Sequence, residues 1–303
     1  MAESGQPALD QLTPAQAREA VRLGFAALQG PPPEVGSIRD LAYEGPTDRR
    51  ALRLYWPPEV PSTRRLPACV YFHGGGWVVG DIPLYDNVCR LLCRASGCAV
   101  ISVDYRLAPE ARFPAAVEDC WTATRWIVEH AEVLGIDAAR VAVAGDSAGG
   151  NLAAVVALRA RDEGKPRLVH QLLIYPVTDL RGQTPSYQKN ADGYFLTAAL
   201  MRWFGDHYLG GESASATDWR ASPLLASSHA GLPPATILVC GFDPLHDDGV
   251  NYAEKLHQAG VAAELIRLPE QIHGFISMDG AIPAARHTLE RVGQVLGQAL
   301  TAA

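Results

Sequence analysis

Gly145-Asp146-Ser147-Ala148-Gly149 follows the apolar run Val141-Ala142-Val143-Ala144 and precedes a helical pattern from about 149 to 162. A serine flanked at two residues by glycine fits a tight strand-to-helix turn, where a strained backbone lifts the nucleophile's hydroxyl clear of a sheet. Chance supplies this match about 0.1 times in a chain of such composition, so the motif alone decides little. A second motif decides more: His73-Gly74-Gly75-Gly76 closes an earlier apolar run, and composition alone gives it about 0.007 times. The two make one chemical device. A serine attacking a carbonyl builds negative charge on oxygen, and preset backbone N–H groups stabilise it. Gly74 N–H, Gly75 N–H and Ala148 N–H are the candidate donors, the last at a helix start whose dipole also favours an anion. A phosphate-cradling role for the glycine loop is disfavoured because no Lys-Ser or Lys-Thr follows it.

Serine attacks at neutral pH only if a base takes its proton, and an acid must orient that base. Of nine histidines, His273 alone falls in a loop just after the last strand-like run, 263 to 268, with Gly274 beside it. His257 and His287 lie in helical stretches, and His73 belongs to the glycine loop. Asp243 stands nearest the end of the run 236 to 241, and the order serine, acid, histidine is the one this architecture uses. Asp247 and Asp248 fall where the next helix begins, a position suited to capping and dipole compensation.

These groups need a scaffold. Apolar runs at 68–73, 98–104, 140–145, 168–175, 235–241 and 262–268 are short, rich in Val and Ile, and separated mostly by helical stretches. That alternation predicts an α/β fold with a mostly parallel sheet covered by helices on both faces. Upstream, Thr13-Pro14-Ala15-Gln16 carries a capping box before an amphipathic helix that Pro31-Pro32-Pro33 stops. Segments 35–44 and 50–56 alternate as two antiparallel strands around Gly45-Pro46-Thr47-Asp48. The interval 180–230 is too long and apolar for a loop, and an insertion after a strand emerges at the reactive edge of such a sheet. The expected division is an N-terminal cap segment at 1–45, a catalytic core at 46–180 and 226–303, and a cap insertion at 181–225. Trp77, beside the glycine loop, and Phe195, Trp203 and Phe204 of the insertion are the candidate substrate-contacting side chains.

Composition narrows the alternatives. With 303 residues, 48% apolar and 19% charged, the chain can bury a large core. A formal net charge of −7 without a basic run gives no footprint for nucleic acid, and no apolar stretch is long enough to span a membrane. The opening Met-Ala-Glu-Ser-Gly-Gln lacks the pattern of a leader, so a cytoplasmic location is expected. The six cysteines form no Cys-x-x-Cys pair and are expected to be reduced and buried; Cys89 and Cys93, four apart on a helix, are poorly placed for a disulfide. No motif calls for a metal or a cofactor.

Together His73-Gly74-Gly75-Gly76-Trp77, Asp104-Tyr105-Arg106-Leu107-Ala108-Pro109-Glu110, Gly145-Asp146-Ser147-Ala148-Gly149 and Asp243-Pro244-Leu245 resemble the bacterial hormone-sensitive-lipase-like esterases. The resemblance covers nearly the whole chain. It implies an α/β-hydrolase fold with a mostly parallel eight-stranded sheet under a helical cap, cofactor-free hydrolysis of short- to medium-chain acyl esters, and dimers through the last edge strand. Its catalytic triad corresponds to Ser147, Asp243 and His273. It makes the Asp104–Glu110 segment mainly structural and Asp146 a holder of nearby loops. Amide hydrolysis or deacetylation on the same triad is the alternative within enzymes, and a small-molecule receptor that has lost the triad histidine is the alternative outside them; His273 is present here.

Overall fold

The computed structural model describes residues 7–61 and 64–302; residues 1–6, on which the reading of no leader rests, lie outside it. Its centre is one eight-stranded sheet in the order β1-β2-β4-β3-β5-β6-β7-β8. Strands β1 (Ser37–Glu44) and β2 (Arg49–Trp56) form the expected hairpin, whose turn is closed by Gly45 N–H donating to Asp48 O at 2.9 Å. The hairpin joins the sheet antiparallel to β4 (Ala99–Val103). From there β3 (Leu66–Phe72), β5 (Ile136–Asp146), β6 (Leu168–Ile174), β7 (Ala235–Phe242) and β8 (Ala263–Ile272) run parallel. Strand β4 is buried along its whole length and β3 nearly so, as expected of strands covered by helices on both faces. The last strand extends four residues beyond its apolar run, so His273 follows it directly.

The helices are α1 (Pro14–Leu28), α2 (Asp86–Ser96), α3 (Ala115–Glu129), α4 (Ala131–Leu134), α5 (Ala148–Glu163), α6 (Pro185–Lys189), α7 (Ala198–Leu209), α8 (His246–Gln258) and α9 (Pro283–Ala302). Helix α2 packs on α9, and α3 on α5. The capping box of α1 forms as read: Gln16 N–H donates to Thr13 Oγ1, and Thr13 N–H to Gln16 Oε1. Helices α6 and α7 occupy the interval between β6 and β7, so that interval is folded; Thr197 caps α7 by accepting from Leu200 N–H at 3.1 Å. All six cysteines are free and buried. Among the described residues no helix is long and apolar enough to cross a membrane.

Two carboxylates expected to cap α8 face elsewhere. Asp248 accepts from Thr178 N–H at 2.8 Å and Asp179 N–H at 3.0 Å, while Asp247 accepts from Ser186 N–H at 2.9 Å. Asp248 thus fastens the chain leaving β6 to α8 and Asp247 fastens α6 to it, because these N–H groups reach the carboxylates in place of the first turn of α8. Asn151 on α5 adds a further tie, donating to Val177 O at 3.0 Å and Ala221 O at 2.8 Å.

The structural role expected for the Asp104 to Glu110 segment is visible at Arg106. Its guanidinium meets the fully buried Asp119 carboxylate at 2.7 and 2.8 Å, and its own N–H donates to the same group at 2.8 Å. Removing one partner leaves the other charge buried and uncompensated, which costs about 3–5 kcal/mol. Asp119→Ala should accordingly lower the melting temperature by about 6 °C or more; a scanning-fluorimetry shift near zero would refute that role.

Candidate active site

Ser147 sits between β5 and α5 at φ +55°, ψ −119°. A side chain there costs about 1–3 kcal/mol and persists only where its surroundings fix it. The fixings are visible: Ser147 N–H donates to Ile174 O at 2.9 Å, and Val177 N–H donates to Ser147 O at 3.2 Å, pinning the turn to the end of β6. The flanking glycines answer to crowding. A Cβ at Gly149 would stand 1.9 Å from Phe72 O, and one at Gly145 would stand 2.3 Å from Gly149 C. No other residue permits this approach of β3, β5 and α5.

The geometry brings Ser147, His273 and Asp243 together. His273 Nε2 lies 2.9 Å from Ser147 Oγ, and His273 Nδ1 lies 2.7 Å from Asp243 Oδ2. An ionised carboxylate only accepts, so Nδ1 carries the ring proton and Nε2 is free to accept from the serine hydroxyl. The other oxygen of Asp243 accepts from Leu245 N–H at 2.8 Å. All three side chains are buried. The Tyr175 ring, whose centroid is 4.5 Å from that of His273, closes the imidazole's flank.

The glycine loop corrects one expectation. Gly74 N–H is not available to an oxyanion, because it donates to Asp146 Oδ1 at 2.8 Å. The chain turns at the next two residues, Gly75 at φ +108° and Gly76 at φ +58°, and both of these line the cavity. Among the described residues the N–H groups of Gly75 and Gly76 have no hydrogen-bond partner. Ala148 N–H, first in α5, has no acceptor within its own helix. The donor set available to an anion is thus Gly75, Gly76 and Ala148. Gly76 belongs to the motif already singled out; the one-residue shift depends on where the loop bends.

Asp146 is what holds that loop. Besides Gly74 N–H it accepts from Tyr71 Oη at 2.7 Å and Tyr85 Oη at 3.3 Å. Burial pushes its pKa up to about 6 in spite of these donors. His73 secures the same loop from the other side: Nδ1 lies 2.7 Å from Gly74 O, and the ring stacks on Tyr105 at 4.3 Å.

The triad opens on a small, mostly apolar cavity of about 60 Å³. Phe195 and Phe204 line it as expected, and so does Trp77, although the Trp77 ring is stacked flat on Tyr208 at 4.2 Å. Trp203 does not line it. Leu200, Met201, Phe204 and Tyr208 form the inner stripe of α7, and Trp203 lies off that stripe, edge-on to Phe204 and His207. Lining residues the sequence reading missed are Leu200 and Met201 on α7, and Val21 and Phe25 on α1. Helical phase is the signal for the first two, and the N-terminal helix of the expected cap segment supplies the other two.

A family model described as alpha/beta hydrolase fold matches residues 69–277. Esterase LipI of Mycobacterium tuberculosis is 44% identical over 275 residues, spanning 90% of this chain and 86% of that protein. Ethyl acetate hydrolase of Pseudomonas putida is 42% identical over 291 residues, spanning 94% and 90%. Among solved structures, an ester-hydrolase from the metagenome of Lake Arreo, complexed with a derivative of bipyridine phosphonate, superposes with a TM-score of 0.95 at 42% identity and covers 98% of this chain and 94% of its own.

The raised pKa of Asp146 has a stability consequence. Between its ordinary value of 3.8 and about 6 the folded state holds a proton that the unfolded state has lost. Stability from this group is therefore full below pH 4 and declines as pH rises through about 6. Relative to Asp146→Asn, which cannot ionise, the parent should lose about 2 kcal/mol between pH 4 and 7. Urea melts of both proteins across that range measure it; parallel pH curves would show that the carboxyl titrates normally.

Proposed function

The chain belongs to the α/β-hydrolase family, in its hormone-sensitive-lipase-like esterase group, and on that premise we propose that it is a carboxylesterase that cleaves short- to medium-chain acyl esters through Ser147, His273 and Asp243. The observation that carries the reading is the continuous relay of 2.9 and 2.7 Å from Ser147 Oγ through His273 to Asp243, facing a cavity that also presents free N–H groups. Ser147 Oγ bonds to the ester carbonyl carbon while His273 Nε2 takes its proton, and the carbonyl π electrons pass to oxygen. The N–H groups of Gly75, Gly76 and Ala148 receive that oxyanion. Collapse of the tetrahedral adduct breaks the bond to the alkoxide, which leaves with the proton from His273. Water then enters by the same relay and releases the acid, restoring Ser147. Asp243 keeps the ring in the working tautomer and stabilises the imidazolium.

Substrate preference follows from the walls. About 60 Å³ between Gly76, Phe195, Leu200 and Phe204 suits an acyl group of a few carbons, favouring the short end of the range. In this reading α1 and the insertion 181–225 form the cap over the core at 46–180 and 226–303.

Hydrolysis of p-nitrophenyl acetate, butyrate and octanoate, with p-nitroacetanilide as the amide counterpart, tests the reading. Turnover should be greatest on the short esters and small on the anilide. Ser147→Ala should lose about 10⁴-fold or more in kcat. Activity surviving in that variant would mean a different nucleophile, and preferred cleavage of the anilide would make the protein an amidase.

A further inference from the structure

The Asp104–Glu110 segment has a second partner besides Asp119, and it lies on α1. Arg18 donates to both Glu110 oxygens, Nη1 to Oε1 at 2.8 Å and Nη2 to Oε2 at 2.6 Å. The same guanidinium donates to Ala108 O and Val78 O, each at 2.8 Å. One side chain thus fastens α1 to the glycine loop and to the end of the segment at once. Three residues along the helix Val21 lines the catalytic cavity, and four further on Phe25 does, edge-on to Phe195 at 5.7 Å. The spacing i, i+3, i+7 puts the fastening and the lining on one stripe of α1.

The two ends of α1 are held differently. The C-terminal end is anchored through Gln29 Nε2 to Leu84 O at 2.7 Å, Gly280 N–H to Leu28 O at 2.9 Å, and Asn87 Nδ2 to Gly30 O at 2.8 Å. Among the described residues, the hydrogen bonds from residues 14–24 to the core come from Arg18 alone. The remaining hold is apolar: Ala17 and Val21 are buried, and Leu9 and Leu12 just before the helix pack on the core. A helix anchored at one end and pinned near the other by a single arginine, through one ion pair and two carbonyl contacts, is arranged to swing outward, carrying Val21 and Phe25 with it.

We propose that Arg18 and Glu110 determine acyl-chain specificity: their ion pair pins α1 as the outer wall of the catalytic cavity, so that its release admits longer acyl chains. This rests on the esterase reading for its substrate but not for the latch itself. The partner guanidinium pushes the Glu110 carboxyl down to about 2, so the pair stays charged throughout the working pH range. Salt, and not pH, should loosen it, since the Glu110 carboxylate is largely exposed.

The test compares the parent with Glu110→Gln and Arg18→Gln, by hydrogen exchange and by kcat/KM on p-nitrophenyl acetate and octanoate. Glu110 is exposed enough that its variant will fold, and a melting curve controls for this. In both variants amides of 14–24 should exchange about tenfold faster, with α9 unchanged as internal reference. The octanoate-to-acetate ratio of kcat/KM should rise about fivefold, chiefly through the KM for octanoate. About 0.5 M NaCl should speed exchange in the parent's α1 and leave the variants unmoved. Unchanged exchange in α1 would overturn the latch, and faster exchange with an unchanged ratio would overturn its hold on specificity. A parent that cleaved neither ester would remove the esterase reading, while the exchange result still decided the latch.

Discussion

The approach of α5 to the ends of β3 and β5 is the constraint on which the rest of the molecule turns. With no room for a Cβ at Gly149, the backbone of the nucleophile turn rests directly against Phe72 and His73. That contact sets the start of α5 against the end of β3, next to Gly75 and Gly76, which line the cavity. It also forces Ser147 into its positive-φ conformation, an energetic cost of about 1–3 kcal/mol that the parallel sheet must offset. The strain is held by Ile174 and Val177 at the adjoining strand end, the same strand end from which the insertion departs. The geometry of the Ser147 turn and the departure of the 181–225 insertion therefore share one set of backbone hydrogen bonds.

Much of this is legible in the sequence because glycine and strand patterning report backbone constraints. The six parallel-type runs match strands, and the residues of the relay are those at the strand ends that the fold's chain order demands. What was misread depends on direction, not on residue type. Three consecutive glycines say that a loop bends sharply but not at which peptide, and the bend at Gly75 and Gly76 leaves Gly74 N–H with Asp146. The size of Trp203 makes it a candidate, whereas membership of the inner face of α7 is a matter of 100° steps, which Leu200, Met201 and Phe204 satisfy. Asp247 and Asp248 do stand in the first turn of α8, where a carboxylate suits the helix dipole, but they do not cap it, and a local pattern cannot announce partners some 60 to 70 residues away.

The buried carboxylates show how one chemical group serves different ends according to its donors. Asp243 meets His273 and one backbone N–H, and in the proposed mechanism its charge would stabilise the imidazolium formed beside it. Asp248 meets two N–H groups through one oxygen and leaves the other without a partner among the described residues. Burial pushes it up to about 8, so near neutral pH it is mainly the uncharged acid, for which an unpartnered oxygen is far less costly than for a carboxylate.

Asp146 stands between these cases and under opposing demands. It must be charged enough to hold Gly74 N–H and two tyrosine hydroxyls, yet a negative charge lining the cavity would oppose the oxyanion of the proposed reaction. Its three donors spread that charge away from the cavity, toward Tyr71, Tyr85 and the first glycine of the loop. The loop in turn gives up one of its three N–H groups to Asp146, which fixes the orientation of the two that follow. Committing Gly74 N–H to Asp146 is thus what would preorganise Gly75 and Gly76 as donors in the proposed mechanism, since donors that need no rearrangement as charge develops are the ones that accelerate acyl transfer.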